Sequence, residues 1–450
     1  MASSRSRLPE SLTDRVLARL APLVQAGAGP LRLTLALSGG LDSSVLLHVL
    51  ADLRRQLPIV LQACHVHHGL SPEADAWRAH CEAVCAALAV PCETHCVQVD
   101  RCSKAGLEAA AREARYRVLM SIRNDWLVLA HHADDQAETL LFRLSRGAGV
   151  KGAACMRDVD AERRIVRPLL HASRADLEAY ARANQIAWVE DESNPDQKFS
   201  RNYLRHIILD PLRARFPGVV TNLVRSTSLF AESDELLSEL AQMDAGVVGF
   251  GQAGSRTRWL SLSPARARNL LRHCLSDATS ESYMPEMRQL DEGLRQVATS
   301  AATRWAFGSR AVCVYRDQLW FEPAVLAVPG PMVWQGESEL PWGEGRILFP
   351  DIWHDFAPCR VETRRPAMSW SPGAGRPHRS IKQLCQEAGV PPWWRALLPC
   401  VWRHDALLWV GGVLGDEQRA AGEVRPEWLG GWRWFQTRSA DVGQAPQIKP

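Results

Sequence analysis

Residues 33–46 read Leu33-Thr34-Leu35-Ala36-Leu37-Ser38-Gly39-Gly40-Leu41-Asp42-Ser43-Ser44-Val45-Leu46. An apolar run breaks into a small, hydroxyl-rich turn with paired glycines, and then the apolar pattern resumes. The first part suits a buried parallel strand. The last part, with Val45, Leu46, Val49 and Leu50, has the spacing of one face of a helix. Between them Gly39 and Gly40 let backbone amides approach an anion, and the new helix presents free N–H groups and its positive dipole end. Ser38, Ser43 and Ser44 add hydroxyl donors, and Asp42 offers a carboxylate suited to Mg2+. A plain strand–turn–helix capped by Ser or Asp shares these local features. The strand before and the helix after favour an anion site.

Outward from this loop, strand-like and helix-like segments alternate at 33–37, 45–56, 59–66, 73–89, 95–99, 105–124, 126–130 and 134–145. A helix over 11–25, with Leu12, Val16, Leu20 and Leu23 on one face, precedes them. This rhythm predicts an α/β domain with a doubly wound parallel sheet and ligands at the carboxyl ends of the strands. Three such ends carry ligand-competent residues: 38–44, His65-Val66-His67-His68 after 59–64, and His131-His132 after 126–130. Beyond a transition at 171–215 come a long helical pattern at 219–243, a segment rich in arginine and leucine at 256–275 and an amphipathic helix around 285–297. Alternating apolar positions at 303–322 suit a hairpin, and a Pro-, Gly- and Trp-rich stretch reads as an irregular connection. A compact unit follows from about 360, with a strand, a helix at 381–388, and two strands split by Arg403-His404-Asp405.

The chain has 450 residues, so two to three domains are expected. It has no long uncharged apolar run and no apolar segment behind its basic N-terminal residues, so neither a membrane span nor a signal peptide is read. Its 12 cysteines are scattered and contain no C-x-x-C pair, which argues for free thiols in a reducing cytoplasm and against a zinc ribbon or an iron–sulfur site. A net charge of +3 says little about a nucleic-acid partner. Only five of the 53 basic residues are lysine, a bias that suits phosphate contacts but equally follows from genomic base composition.

His131-His132-Ala133-Asp134-Asp135-Gln136-Ala137-Glu138-Thr139 opens a helix. Asp135 and Glu138, three apart, share a face, and His131 lies one turn before Asp135. Such a carboxylate pair beside a phosphate loop can hold an ammonium group, take its proton or bind magnesium. Acidic first turns also serve as dipole compensation and caps. The H-x-x-x-D pattern would fit zinc, but no further ligand cluster supports it.

The Ser38–Ser44 loop resembles the S-G-G-x-D-S loop of the N-type ATP pyrophosphatases, which cleave ATP between the α and β phosphates. It is distinct from a Walker loop, and the chain has no Gly-Lys pair. "HVHHGLSPEADAW", "GLEAAAREARY", "HHADDQAETLLFRLSRGAG", "RPLLHASRADLEAYA" and "EDESNPDQKFSRNYLRHIILDPL" resemble the bacterial tRNA(Ile)-lysidine synthetase family. "RSIKQLCQEAGVPPWWRALLPCVWRHDALLWVGG" is similar to that family's C-terminal domain. The resemblance implies a catalytic ATP pyrophosphatase domain at 1–215 and a mainly helical, tRNA-binding middle domain at 216–322. A connection at 323–358, a small α+β tRNA-binding domain at 359–430 and a tail at 431–450 complete the expectation.

The implied substrates are ATP, L-lysine and the minor tRNA(Ile) with a CAU anticodon. C2 of the wobble cytidine is adenylated, and the ε-amine of lysine displaces AMP to form lysidine. Ser38, Gly39, Gly40, Leu41, Asp42, Ser43 and Ser44 would bind ATP, with Asp42 organising Mg2+. Asp135 and Glu138 would hold and deprotonate the lysine amine, whose reference pKa is about 10.4. His131 is a second contact or proton relay. Arg112 and Arg205 match positions where the family uses arginine near nucleotide and substrate, although a surface ion pair is an equal reading of each. Arg364, Arg365, Arg376, Arg379 and Lys382, beside Trp370, Trp393 and Trp394, suit RNA contacts, while most of the 17 tryptophans suit core positions. The rivals are a tRNA 2-thiolation enzyme, which needs paired cysteines, an NAD or GMP synthetase, which needs an ammonia source, and a non-catalytic tRNA binder with a degenerate loop. The intact loop and acidic helix disfavour the last.

Overall fold

The computed structural model describes residues 11–100, 102–103, 106–122, 124–190, 200–249, 254–275, 286–343, 345–365, 368–370, 379–411, 413 and 426–429. Arg376, the 191–199 part of the D-x-S-N segment and the expected tail at 431–450 lie outside them. The chain divides into two compact units, Met1–Glu235 and Leu236–Pro450.

The first unit is built on β1 (Leu31–Ala36), β2 (Ile59–His67), β3 (Cys92–Cys96), β4 (Trp126–Val128), β5 (Val159–Asp160) and β6 (Ile165–Val166). Their order in the sheet is β3-β2-β1-β4-β6-β5, parallel except for β5. β1 pairs with β2 on one side and β4 on the other, so the order in which strands are added reverses at β1 and the loops at the carboxyl ends of β1 and β4 lead to opposite sides. Such a reversal opens a crevice in a parallel sheet. Helices α1 (Leu12–Ala26), α2 (Leu41–Leu53), α3 (Ala74–Ala87), α4 (Leu107–Ser121) and α5 (Ala133–Ser145) alternate with the strands.

The sequence pattern gives α2 one apolar face, but ten of its 13 residues are buried. It packs against β1 and β2 and also under α1 and the helix Arg174–Ala183, so little of its circumference reaches water. Leu33, Leu35, Leu46, Leu47 and Leu50 at its centre are fully covered. Burial of this kind stabilises by about 1.5–3 kcal/mol per side chain and gives the loop between β1 and α2 a rigid base.

The second unit carries helices Pro264–Leu275 and Met287–Thr299, together with the last turns of Val219–Val248. Residues 303–322 form three strands, Ala302–Phe307, Arg310–Tyr315 and Gln318–Pro323, rather than one hairpin, and Gly254–Ser255 adds a fourth. The stretch read as an irregular connection is also ordered: strands Met332–Trp334, Glu339–Trp342 and Gly345–Leu348 lie within it. Trp334, Trp342 and Trp353 are buried in one core with Trp370, Trp394, Trp409 and Trp428. Proline and glycine density there marks tight turns between short strands, and tryptophan supplies core volume. Ala311, Cys313 and Trp320 join the same core, and Trp320 meets Trp394 edge to face at 5.6 Å. The expected break at 323–358 is therefore part of the packing. Among the described residues no helix is long and apolar enough to cross a membrane.

Candidate functional site

The loop after β1 is shaped by its glycines and serines. Gly39 sits at φ +86°, where a Cβ would also meet Cys81 Sγ and Val189 Cγ2 at 3.0 Å. Gly40 caps α2, and Leu41, Asp42, Ser43 and Ser44 form its first turn rather than a loop before it. Leu41 turns its side chain into the core, leaving its backbone to the site. Ser43 Oγ accepts from the Ser38 amide (3.2 Å) and donates to Gly40 O (3.1 Å), and Ser44 Oγ donates to Gly39 O (3.2 Å). The Val189 amide donates to Gly39 O at 3.0 Å. The serines thus brace the turn, while the N–H groups of Leu41, Asp42 and Ser43 at the start of α2 have no intrahelical acceptor and lie at its positive dipole end.

This loop forms part of the floor of a cleft of about 1110 Å³. The walls come from His65, His67 and His68 at the carboxyl end of β2, which runs past the expected end at 64, from Arg112 and Arg115 on α4, and from His131 and Asp135 at the start of α5. Arg201 and Arg205 complete the rim. Each of the three expected strand ends therefore contributes to one site. Of the β2 histidines, His65 bonds the Leu37 carbonyl through Nδ1 at 3.0 Å and ties β2 to the end of β1. Burial, with Arg115 adding to it, pushes His68 down to about 4, so it is neutral near pH 7.

Helix α5 opens on a capping box in which the His132 amide donates to Asp135 Oδ2 at 3.0 Å. His132, which the motif does not distinguish from His131, is 1% exposed and surrounded by carboxylates. Its Nε2 lies 3.6 Å from both Asp42 and Asp135, and its Nδ1 3.4 Å from Asp134. Burial alone would lower its pKa, but Asp135, Asp134 and Asp42 together push it up to about 10. The Asp134 amide also approaches Nδ1, at 3.2 Å. Donor and carboxylate compete for that nitrogen, and three carboxylates decide for the imidazolium. His131 is the opposite case: burial, helped by Arg167, Arg201 and Arg112 against Asp135, pushes it down to about 3. Its Nδ1 is buried without a hydrogen-bond partner. Adjacent histidines thus hold opposite charge states.

Asp135 and Glu138 share a face as the spacing implies, but they are not vacant. Arg201 reaches Asp135 Oδ1 at 2.5 Å and Glu138 Oε2 at 2.7 Å, and Arg205 Nε reaches Glu138 Oε1 at 2.6 Å. Burial raises the Asp135 pKa, but His132, Arg201 and His131 outweigh it and hold the carboxyl below its ordinary range. Asp134 accepts from the Arg174 amide at 2.9 Å and pairs with Arg213, so its part is structural. Arg112 is brought to the cleft but not to the carboxylates; it lies over the Tyr116 ring at 4.9 Å. Arg174, Arg201 and Arg213 join these carboxylates beyond the residues singled out from sequence, and His132, named there only as one of a histidine pair, lies at their centre. The Arg-Asn segment at 201–205 was the available signal for Arg201, whereas Arg174 and Arg213 sit in otherwise ordinary helical patterns.

Asp42 bears on magnesium. Its Oδ1 is buried and accepts no hydrogen bond, with Arg174 3.8 Å away. Mg2+ commonly takes one or two carboxylates plus substrate phosphates and water, so one free carboxylate oxygen beside a phosphate loop fits that ion. All twelve cysteines are unpaired thiols, seven of them buried.

Three family models match the chain: a PP-loop domain over residues 12–212, a TilS substrate binding domain over 255–320, and a TilS substrate C-terminal domain over 359–434. The tRNA(Ile)-lysidine synthase of Aromatoleum aromaticum is 43% identical, covering 89% of this chain and 98% of its own length. That of Azoarcus sp. is 41% identical with 90% and 93% covered, and that of Pseudomonas aeruginosa 41% with 93% and 97%. A solved U34-tRNA thiolase from Methanococcus maripaludis, with its [4Fe-4S] cluster, covers 49% of this chain and 78% of its own at 19% identity and a TM-score of 0.43, too distant to bear on the reaction. With near-full-length relatives at such identity, and all three models in order along it, the chain belongs to the tRNA(Ile)-lysidine synthase family.

Proposed function

We propose that the chain is an ATP-consuming carbon–nitrogen ligase that converts the wobble cytidine of tRNA(Ile) with a CAU anticodon to lysidine, using L-lysine as the nucleophile. The observation that carries this is a single cleft lined by the anion-binding helix start at Ser38, Gly40, Leu41, Asp42 and Ser43 and by Asp135, with buried Glu138 directly behind the cleft-lining Arg201 and Arg205. One end suits a triphosphate and the other an ammonium group. The 2-thiolation alternative lacks a comparable observation here.

In the first step the cytidine O2 attacks the α-phosphorus and pyrophosphate leaves. The amides of Gly39 to Ser43 and the dipole of α2 stabilise the charge that develops on the departing phosphates. Asp42 would hold Mg2+, which when bound neutralises phosphate charge. In the second step the ε-amine attacks C2, the adenylate C2–O bond breaks and AMP leaves. Asp135 and Glu138 hold the lysine ammonium. The low pKa of Asp135 makes it a binder of the cation more than a base while Arg201 is beside it. Neutral His131, with its unpartnered Nδ1, offers the amine a further hydrogen-bond contact. Arg112 and Arg205 neutralise phosphate charge in the cleft. tRNA recognition away from the reacting base falls to the regions 216–322 and 359–430, where Arg360 over Trp402 (5.8 Å) and Arg403 over Phe356 (5.6 Å) present guanidinium planes beside aromatic rings. The cytoplasm is the compartment for this reaction, since tRNA, ATP and reduced thiols meet there.

The test is incubation with ATP, labelled lysine and tRNA(Ile) transcripts that differ only at the wobble base. Lysine incorporated into the cytidine-bearing transcript alone is the expected result. No incorporation, with another acceptor adenylated instead, would overturn the assignment.

A further inference from the structure

All four carboxylate oxygens of the amine site are already engaged. Glu138 gives Oε1 to Arg205 and Oε2 to Arg201, while Asp135 gives Oδ1 to Arg201 and Oδ2 to the His132 amide. The partners differ in freedom. The Glu138 side chain is 1% exposed and fixed in α5, whereas those of Arg201 and Arg205 are 36% and 24% exposed. Both arginines come from one segment, helix Ser200–Tyr203 running into a π-helical turn at Leu204–Leu209. Such turns are short, irregular and frequent at functional sites. Both arginines also line the cleft that contains the phosphate loop.

We propose that Arg201, seconded by Arg205, is a positioning residue that occupies the ammonium subsite of the free enzyme, so that lysine is admitted only after phosphate groups in the cleft have drawn the guanidinium away. This rests on the assignment of Asp135 and Glu138 as the amine site. An incoming ammonium would replace a guanidinium bridging two carboxylates with a point cation, and the displaced arginine would need a new anionic partner. Phosphate oxygens at the Ser38–Ser44 end supply the alternative partner. Nucleotide or RNA therefore binds first and lysine second, and the amine arrives when there is an activated base to receive it. Departure of Arg201 also removes one of the charges that hold the Asp135 pKa down, so the carboxylate becomes a better proton acceptor at the step that needs one.

Equilibrium dialysis of labelled L-lysine against the full-length enzyme tests this, with no addition, with α,β-methylene-ATP, or with unmodified tRNA(Ile) transcript. Lysine affinity should rise at least about tenfold, or 1.4 kcal/mol, with one of the phosphate-bearing additions, and the two arms tell nucleotide phosphate from RNA phosphate. Arg201→Gln should bind lysine without addition at least about tenfold more tightly than wild type and lose the dependence, while Arg201→Lys keeps it. Equal lysine affinity of the wild type in every arm overturns the proposal, whether or not Arg201→Gln folds. Adding Glu138→Gln to Arg201→Gln should abolish lysine binding. If the double variant binds as the single one does, the amine site lies elsewhere, a failure distinct from that of the gate.

Discussion

The two ends of the cleft are made in different ways. The anion end is largely local: seven consecutive residues, Ser38 to Ser44, supply the turn, its bracing hydroxyls and the helix start, and the hydrogen bonds among them span at most five positions, with the Val189 amide on Gly39 as a remote brace. The cation end is assembled over long range. Asp135 and Glu138 take their charge balance from Arg201 and Arg205, more than 60 residues later, and Asp42, 90 residues earlier, adds to the neighbouring Asp135 and Asp134 in charging His132. Backbone amides form an anion site whose geometry needs no partner, because the donors are already fixed by the helix. Buried carboxylates cannot stand alone, since an uncompensated charge is expensive in the interior. Hence the anion end is preformed, and the carboxylate end is held by internal cations, Arg201 and Arg205.

Four variants probe this contrast. The largest effect is expected from Asp42→Ala, which removes the carboxylate at the phosphate loop and one of the three around His132: pyrophosphate release should fall by about 10²–10³, measured with tRNA transcript and labelled ATP. Glu138→Gln should slow lysine transfer by about 10² and leave pyrophosphate release nearly unchanged; equal loss in both steps would erase the division between the two ends. His132→Asn should show a pH signature. The folded pKa of about 10 lies above the unfolded value of about 6.5. The stabilisation from this group is therefore complete below pH 6.5 and lost as pH rises through 10. The melting temperature of the wild type should exceed that of the variant at pH 6.5, and the difference should shrink toward pH 10. Gly39→Ala should cost about 1–3 kcal/mol in denaturant unfolding, from the positive φ and the 3.0 Å approaches to Cys81 and Val189.

The same division governs how much could be read in advance. The alternation of strands and helices, the loop at 38–44 and the shared face of Asp135 and Glu138 are properties of neighbouring residues, and they stand in the structure as the pattern implies. The occupancy of those carboxylates was not legible, because Arg201 and Arg205 are remote in sequence and resemble surface arginines until the chain folds. Nor was the contrast between His131 and His132, since only the surrounding charges distinguish two adjacent imidazoles. In the second unit, Pro- and Gly-rich spacing at 323–358 looked like a linker, while the tertiary fold places its tryptophans in the core.

By itself the sequence determined the parallel α/β scaffold, the phosphate loop and the acidic helix, because periodicity and short-range backbone geometry act within a few residues. Only the tertiary structure decided which charges face each other. Burial and Coulomb interaction depend on through-space distance, and that distance joins residues 42, 135, 201 and 205 of the cleft, with 138 buried behind them, into one charge network.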